Sequence, residues 1–282
     1  MNVWLFVPGH DQRKLPKALS SDADAVIIDW EDGVPINQKE AARAQTRMTL
    51  AGSAQPPLGT SSSRRVIVRI NHPRTPYGAD DIGALAGLPL GGVMMPKVEA
   101  VTDLQIEALV NLNLPLILMI ETASGVEHAL EIARAHPLVE RLVFGALDFV
   151  ADIGGQWTAE GEAFQYAQSR VIIAARSAGL AETMGGVYPH VHDLEGLKRD
   201  TLKGRILGFR GKTVIHPSHI SIVREMLKPT PAEVAEAQQI IQAFAEAVAD
   251  NRAVLTINGR FIDPPVVRWA EQILEAAGQS GL

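Results

Sequence analysis

Short runs of apolar residues alternate with helix-like segments along most of this chain. The apolar runs contain almost no polar residues, which is typical of parallel strands that are buried on both faces. The segments between them carry apolar residues at intervals of three and four positions, the spacing of an amphipathic helix. This alternation predicts an α/β protein with a parallel sheet in which a helix follows every strand.

The alternation continues to about residue 226 and contains eight strand–helix repeats. We place the strands at residues 3–7, 25–29, 65–70, 92–96, 116–121, 141–146, 182–188 and 212–216. The helices fill the gaps at residues 11–19, 39–50, 79–85, 101–112, 126–135, 160–178, 194–206 and 219–226. Eight repeats in a chain of 282 residues fit a TIM (β/α)8 barrel. The competing open sheet that binds a dinucleotide needs a G-x-G-x-x-G turn after its first strand, and residues 8–11 (PGHD) do not provide one.

A proline-rich boundary separates the repeats from a C-terminal tail. Pro229-Thr230-Pro231 marks the boundary, so we predict a barrel domain over residues 1–228 and a helical arm or lid over 229–282. The tail should contain a helix at 232–250, a turn-rich stretch and a last helix that begins at Pro264-Pro265. Within the barrel, the small-residue stretch 51–63 should be a mobile loop on the face away from any chemistry.

Composition excludes several classes of function. The formal net charge of −6 argues against binding to nucleic acid or to a membrane surface, both of which usually need a basic patch. No apolar run approaches the roughly 20 residues that cross a bilayer. The absence of cysteine rules out a thiolate nucleophile, a disulfide and cysteine-ligated zinc. We therefore expect a cytoplasmic protein with a sizeable hydrophobic core, since 46% of its residues are hydrophobic.

Two of the apolar strands lead into an acid, Glu121 after the fifth strand and Asp148 after the sixth. Because neighbouring parallel strands end at the same edge of a barrel, we expect these carboxylates to lie side by side. Paired carboxylates form a hard, oxygen-rich site that suits Mg²⁺. The alternative is that each acid only marks the exposed end of a strand or caps the next helix.

Polar groups follow most of the other strands at the same edge, which is where TIM-barrel active sites lie. Arg69 follows a buried strand, so its guanidinium needs an anion, either a substrate carboxylate or an internal partner, Glu31 or Asp32. For Glu31 and Asp32 we favour a supporting role behind the residues that touch ligand. Lys97 follows a proline beside Glu99, which favours ion pairing over the Schiff base of an aldolase.

Motifs along essentially the whole chain make it resemble the citrate lyase beta-subunit-like branch of the HpcH/HpaI aldolase family. The matching stretches are FVPG at 6–9, DWED at 29–32, VRIN at 68–71, PKVE at 96–99, IETASG at 120–125, FG at 144–145 with Asp148, IHP at 215–217 and IDPPV at 262–266. This chain departs from the family pattern at Leu147, where relatives often have Glu or Ala, and at Gly185-Gly186, where they have Asp-Gly.

The resemblance implies a TIM barrel, a divalent ion and an oligomer. Glu121 and Asp148 would hold Mg²⁺ (or Mn²⁺), Arg69 would bind and stabilise the substrate, and Asp263 would act as the catalytic acid/base. Glu121 and Gly145 would also contact the substrate, with Lys17 a candidate for the CoA phosphates. In relatives that cleave thioesters the arm reaches a neighbour's barrel, so a homotrimer or a dimer of trimers is expected.

The implied activity is Mg²⁺-dependent, reversible carbon–carbon cleavage of a 3-hydroxyacyl-CoA of the malyl-CoA or citramalyl-CoA type. The products would be an acyl-CoA and a 2-oxoacid. Three alternatives are a metal-dependent aldolase for a free hydroxy-oxoacid, a citrate lyase beta subunit that cleaves citryl thioester, and a non-catalytic assembly subunit. The cluster of like charges argues against the last, because a scaffold gains nothing from it.

Overall fold

The computed structural model describes residues 2–51, 65–180, 182–249, 255–257 and 259–278. The predicted loop at 51–63 lies almost wholly outside these residues. The chain divides into two compact units, Asn2–Arg224 and Glu225–Leu282. No described helix has the combination of length and apolar character that crossing a membrane requires.

Eight parallel strands close into a barrel in the first unit. Each pairs with the next along the chain, and the last pairs with the first through registers such as Asn2 with Gly211. The prediction of a TIM barrel is therefore confirmed. The strands are β1 (Asn2–Pro8), β2 (Ala25–Asp29), β3 (Arg65–Arg69), β4 (Gly92–Met95), β5 (Leu116–Ile120), β6 (Val139–Phe144), β7 (Met184–Gly185) and β8 (Gly211–Val214).

Helices connect successive strands of the barrel, and one more helix follows its last strand. They are α1 (Lys14–Leu19), α2 (Lys39–Leu50), α3 (Gly78–Leu85), α4 (Glu107–Val110), α5 (Ala123–Glu127), α6 (Ala129–Ala133), α7 (Ala146–Asp152), α8 (Glu162–Ser177), α9 (Leu194–Leu207) and α10 (His219–Leu227). Short 3₁₀ turns precede α2 and α4, at Ile36–Gln38 and Val101–Leu104.

The strands are apolar on both faces because both faces are covered. One set of side chains fills the barrel interior, and the alternate set packs against the helices. The interior set is Trp4, Ala25, Ile27, Ile67, Met94, Ile117, Met119, Val143 and Met184, with Phe6 packed against it.

An ion-paired network lies at the end of the barrel where the strands begin. Arg65 bonds both oxygens of Glu140, at 2.6 and 2.5 Å, and Arg141 contacts Glu140 and Glu182 at 3.1 and 3.3 Å. Both guanidinium groups lie over the ring of Trp4, at 5.9 and 4.8 Å from its centroid. We call these five residues the barrel floor.

Two strands near the site were predicted with wrong bounds. β6 ends at Phe144 instead of residue 146, and α7 starts at Ala146, so Asp148 lies in the first turn of a helix. β7 is limited to Met184–Gly185, although the prediction covered 182–188. The backbone after β7 packs too closely for a side chain, since a Cβ on Gly186 would lie 2.4 Å from the carbonyl oxygen of Phe144.

The second unit has its own core. It consists of α11 (Pro231–Ala249), the antiparallel strands β9 (Leu255–Ile257) and β10 (Arg260–Ile262), and α12 (Pro264–Ala276). The turn-rich stretch of the sequence thus contains a hairpin. Side chains from α11, β10 and α12 form an apolar cluster of Ala237, Ile240, Ile262, Ala270, Ile273 and Leu274.

Candidate active site

A cavity of about 530 Å³ opens at the carboxyl ends of the barrel strands. Five of the residues selected from the sequence line it together: Lys17, Arg69, Glu121, Gly145 and Asp148. They come from α1, β3, the segment after β5, the segment after β6 and α7. Barrel closure therefore brings together residues that are up to 131 positions apart in the chain, from 17 to 148.

Glu121 lines this cavity with one carboxylate oxygen hydrogen-bonded and the other without a partner among the described residues. Its side chain is only 1% exposed, and Oε1 accepts a 2.8 Å hydrogen bond from the backbone N–H of Lys97. Oε2 is buried and has no hydrogen-bond partner among the described residues. Burial, together with the nearby charge of Asp148, raises the pKa of Glu121 to about 8. A buried oxygen without a donor is well placed to bind a cation.

Gly145 provides the space around that free oxygen. A Cβ at this position would lie 2.3 Å from Glu121 Oε2 and 2.7 Å from Glu121 Cβ. Any larger residue would therefore displace the carboxylate or cover its free oxygen. The backbone N–H of Gly145 bonds the carbonyl of Ile120 at 3.0 Å, which holds the two segments together.

Asp148 completes the acidic pair from the first turn of α7. It lines the same cavity, and its side chain is 42% exposed. Within the described parts of the chain no group of three or more His, Cys, Asp and Glu side chains is arranged to hold a metal. Two carboxylates nevertheless fit Mg²⁺, which is usually bound through one or two carboxylates, with water and substrate as the other ligands.

Arg69 is held rigidly beside the acidic pair. Its Nε and Nη2 donate to the two oxygens of Asp29 at 2.8 and 2.7 Å, and Nη1 lies 3.1 Å from Glu31 Oε2. Its guanidinium also lies 4.8 Å from the ring centroid of Phe6. Although burial opposes the charge, Asp29 and Glu31 raise the pKa of Arg69 above its usual value. The cavity therefore contains a fixed positive charge.

Two acids of the segment after β2, Glu31 and Asp32, form ion pairs beside Arg69. Glu31 is buried and contacts Arg69 and Lys97, whereas Asp32 contacts Lys97 at 2.9 Å. The buried ammonium of Lys39 donates to the backbone carbonyls of Trp30 and Glu31, at 2.8 and 2.7 Å. Burial raises the pKa of Glu31, against the opposing charges of Arg69 and Lys97.

Asp263 belongs to the second unit, where it caps a helix. Its Oδ1 accepts a 3.2 Å hydrogen bond from the backbone N–H of Val266 at the start of α12. Such a cap typically contributes about 1 kcal/mol to stability.

Two contributors were not recognised from the sequence. Asp29 was noted at a strand end but was not identified as the bidentate partner of Arg69. Both residues lie near the ends of consecutive predicted strands, but only the structure shows that they are paired in the parallel register of β2 and β3. The contact of the Lys97 backbone with Glu121 had no such signal, since it depends on the local conformation after β4.

Comparison with known proteins identifies relatives over nearly the full chain. A family model described as HpcH/HpaI aldolase/citrate lyase matches residues 2–217, and a model described as a C-C bond lyase of the TIM-barrel fold matches residues 158–282. A (3S)-malyl-CoA thioesterase of Cereibacter sphaeroides is 36% identical over 97% of this chain and 93% of its own. The mitochondrial citramalyl-CoA lyase of Homo sapiens is 31% identical over 97% of this chain and 84% of its own.

A solved structure supports the same relationship. The protein CitE of Mycobacterium tuberculosis, crystallised with magnesium, acetoacetate and coenzyme A, superimposes with a TM-score of 0.84 at 33% identity. The match covers 99% of this chain and 98% of the CitE chain. With its barrel, its acidic pair and these relatives, the chain belongs to the HpcH/HpaI aldolase/citrate lyase family, as the sequence motifs predicted.

Proposed function

We propose that this chain is a Mg²⁺-dependent carbon–carbon lyase that cleaves a 3-hydroxyacyl-CoA to an acyl-CoA and a 2-oxoacid. The observation that carries the proposal is the buried, unpartnered Oε2 of Glu121, which shares a cavity with Asp148 and a fixed Arg69. Relatives named citramalyl-CoA lyase and citrate lyase subunit beta support the reaction class. CitE crystallised with magnesium and coenzyme A supports the choice of ion and carrier.

Glu121 and Asp148 would hold the ion, with Mn²⁺ as a possible substitute for Mg²⁺. When bound there, the ion would supply a Lewis acid for the substrate. Arg69 binds the same end of the substrate and stabilises negative charge on its oxygens, a contribution often of a few kcal/mol. Gly145 leaves room for this end of the substrate beside Glu121.

Cleavage requires a base for the substrate hydroxyl. Loss of its proton forms the carbonyl of the 2-oxoacid as the C2–C3 bond breaks, and the electron pair passes to the acyl-CoA enolate, which then takes up a proton. We assign the base to Asp263 of a neighbouring subunit, as the family resemblance implies. General base catalysis of this kind contributes on the order of 10²–10⁴-fold in rate.

Thioester hydrolysis is a second candidate activity. It is favoured by the 36% identity to (3S)-malyl-CoA thioesterase, which exceeds the 31% identity to the human lyase. Hydrolysis of malyl-CoA would release free CoA and malate, without breaking a carbon–carbon bond. The two reactions therefore leave different products from the same substrate.

Product analysis separates the candidates. The purified chain is incubated with Mg²⁺ and malyl-CoA or citramalyl-CoA, and the 2-oxoacid and the free thiol are measured separately. A lyase releases 2-oxoacid in step with acyl-CoA and no thiol, whereas a thioesterase releases thiol alone. Cleavage of free hydroxy-oxoacids at equal efficiency would instead favour the aldolase alternative.

The variant Asp148→Asn tests the metal site. It should lose metal-dependent turnover and keep its fold, while Asp22→Asn, which makes the same change at an exposed position, should keep normal turnover. Full activity of the wild-type chain in EDTA would contradict the metal assignment. The homo-oligomer and the cytoplasmic location stay predictions.

A further inference from the structure

Lys97 has an unusual backbone at the edge of the site. Its φ is +50°, and among the described residues only Asn113 is another non-glycine residue with positive φ. Asparagine tolerates this left-handed conformation, but for most other residues it costs on the order of 1 kcal/mol. The conformation persists where the surroundings hold it, and such strain often occurs at functional sites. Here it directs the backbone N–H onto Glu121 Oε1 at 2.8 Å.

The side chain of the same residue reaches the other carboxylates. Its ammonium bonds Glu31 Oε1 and lies 2.9 Å from Asp32 Oδ2 and 3.9 Å from Asp148 Oδ1. One residue thus contacts Glu121 through its backbone and three further acids through its side chain. Arg69, a second cation of this cluster, is engaged by Asp29 and Glu31.

We propose that Lys97 is a positioning residue. Its ammonium partly neutralises the carboxylate of Asp148 before the divalent cation binds, and it competes with that cation for the same carboxylate afterwards. The inference rests on the proposed metal site. An ammonium 3.9 Å from a ligand oxygen repels an incoming cation, so it weakens cation binding. It also keeps Glu31 against Arg69, so that the guanidinium stays aligned when the charge balance changes.

A variant without the ammonium should bind Mg²⁺ more tightly and yet turn over more slowly, and this combination makes the proposal testable. Lys97→Gln removes the positive charge next to Asp32 and Asp148 and leaves Glu31 with Arg69 as its remaining cation. Mg²⁺ should then bind at least about fivefold more tightly by calorimetry. At saturating Mg²⁺, kcat should nevertheless fall, because Glu31 loses its bond to Lys97 and is positioned only by its contact with Arg69.

Three further variants separate this role from a structural one. Lys97→Gly keeps access to positive φ without the side chain and should show the same tightening, even if Lys97→Gln folds poorly. Lys97→Arg keeps the charge and should retain wild-type Mg²⁺ affinity within about twofold. Lys198→Gln removes one positive charge from α9, outside the cavity lining, and should leave both affinity and kcat unchanged.

The outcomes distinguish this inference from the function on which it rests. If both uncharged Lys97 variants bind Mg²⁺ with wild-type or weaker affinity, the counter-ion role is wrong while the metal site stands. If the wild-type chain binds no Mg²⁺, the proposed function fails and this inference fails with it. Tighter binding in Lys198→Gln as well would assign the effect to net charge and overturn the specific role of Lys97.

Discussion

At the scale of single residues, Gly145 decides whether Glu121 can offer an oxygen to a cation. In Gly145→Ala the new Cβ would lie 2.3 Å from Glu121 Oε2, so the carboxylate must rotate or be covered. We expect Mg²⁺ affinity and turnover to fall at least about tenfold, which calorimetry and a steady-state assay would measure. Such a clash also costs stability, by an estimated 1–3 kcal/mol.

Gly83→Ala is the matched control. Gly83 lies in α3, and a Cβ there would meet no atom within 4 Å. Alanine in a helix is favoured over glycine by about 1 kcal/mol, so this variant should be as stable as the wild-type chain or slightly more so. Wild-type Mg²⁺ affinity in Gly145→Ala would show that Glu121 Oε2 is not a ligand.

The pKa of Glu121 predicts a pH dependence of stability in the metal-free protein. Burial raises this pKa from 4.5 to about 8, so between these values the folded chain holds a proton that the unfolded chain has lost. The free energy of unfolding must therefore decrease as pH rises from about 4.5 to 8. Glu121→Gln removes this dependence. In urea unfolding without metal, the free energy of unfolding of the variant should rise relative to that of the wild type by a few kcal/mol between pH 5 and pH 9.

Parallel pH profiles of the free energy of unfolding for the two proteins would contradict a raised pKa at this position.

Glu121 also shows how far a single residue can be predicted from the sequence. An acid that follows a buried strand was enough to select Glu121, but its unpartnered oxygen depends on the glycine of another segment.

At the scale of elements, the barrel floor joins β1, β3 and β6 at the end opposite to the cavity. Arg65 and Arg141 share Glu140. A Cβ on Gly91 would lie 2.4 Å from Arg65 Cγ, so the residue that precedes β4 leaves room for this side chain. The network is half-buried, so its loss would leave the guanidinium groups of Arg65 and Arg141 without some of their hydrogen-bond acceptors.

Glu140→Gln should therefore destabilise the fold and leave the chemistry intact. We expect a loss of about 1–3 kcal/mol in the free energy of unfolding, since two partly buried arginines lose a charged partner. Chemical denaturation would measure it, and kcat should be unchanged because no residue of the barrel floor lines the cavity. The exposed Glu127→Gln serves as the control and should change neither quantity. Equal stability of the two variants would show that the floor network contributes nothing net.

Element types were easier to predict than element ends. The α2 bounds, Lys39–Leu50, were predicted correctly because its apolar positions repeat with helical spacing up to a small-residue stretch. The start of α7 was missed, since the apolar run of β6 was predicted to continue to Ala146. The start of α5 at Ala123 was also missed, although Thr122 caps it by accepting a hydrogen bond from the N–H of Gly125.

At the scale of the whole molecule, we can test whether the arm of one subunit supplies Asp263 to the barrel of another. The test mixes two variants that are each inactive. Asp148→Asn lacks a metal ligand and Asp263→Asn lacks the proposed base. If each site takes its base from another subunit, co-expressed variants form some sites with both groups intact. Their mixed oligomers should then regain a measurable fraction of wild-type turnover, whereas each variant alone stays inactive.

Failure of the mixture to regain activity, with mixed oligomers verified by tag pull-down, would contradict a base supplied in trans. Full activity of Asp263→Asn alone would leave that residue only its role as the cap of α12. Both outcomes leave the metal site of the barrel untouched.

The sequence by itself determined the alternation of strands and helices, the barrel, and the residues at the carboxyl ends of the strands. These follow from burial, which acts on each position separately and leaves a periodic record along the chain. Only the tertiary structure decided which of those residues meet. Asp29 contacts Arg69, Gly145 adjoins Glu121, and Lys97 contacts Glu121 through its backbone and Asp148 through its side chain. Such contacts depend on strand register, barrel closure and the local backbone after each strand, and none of these leaves a periodic signal in the sequence.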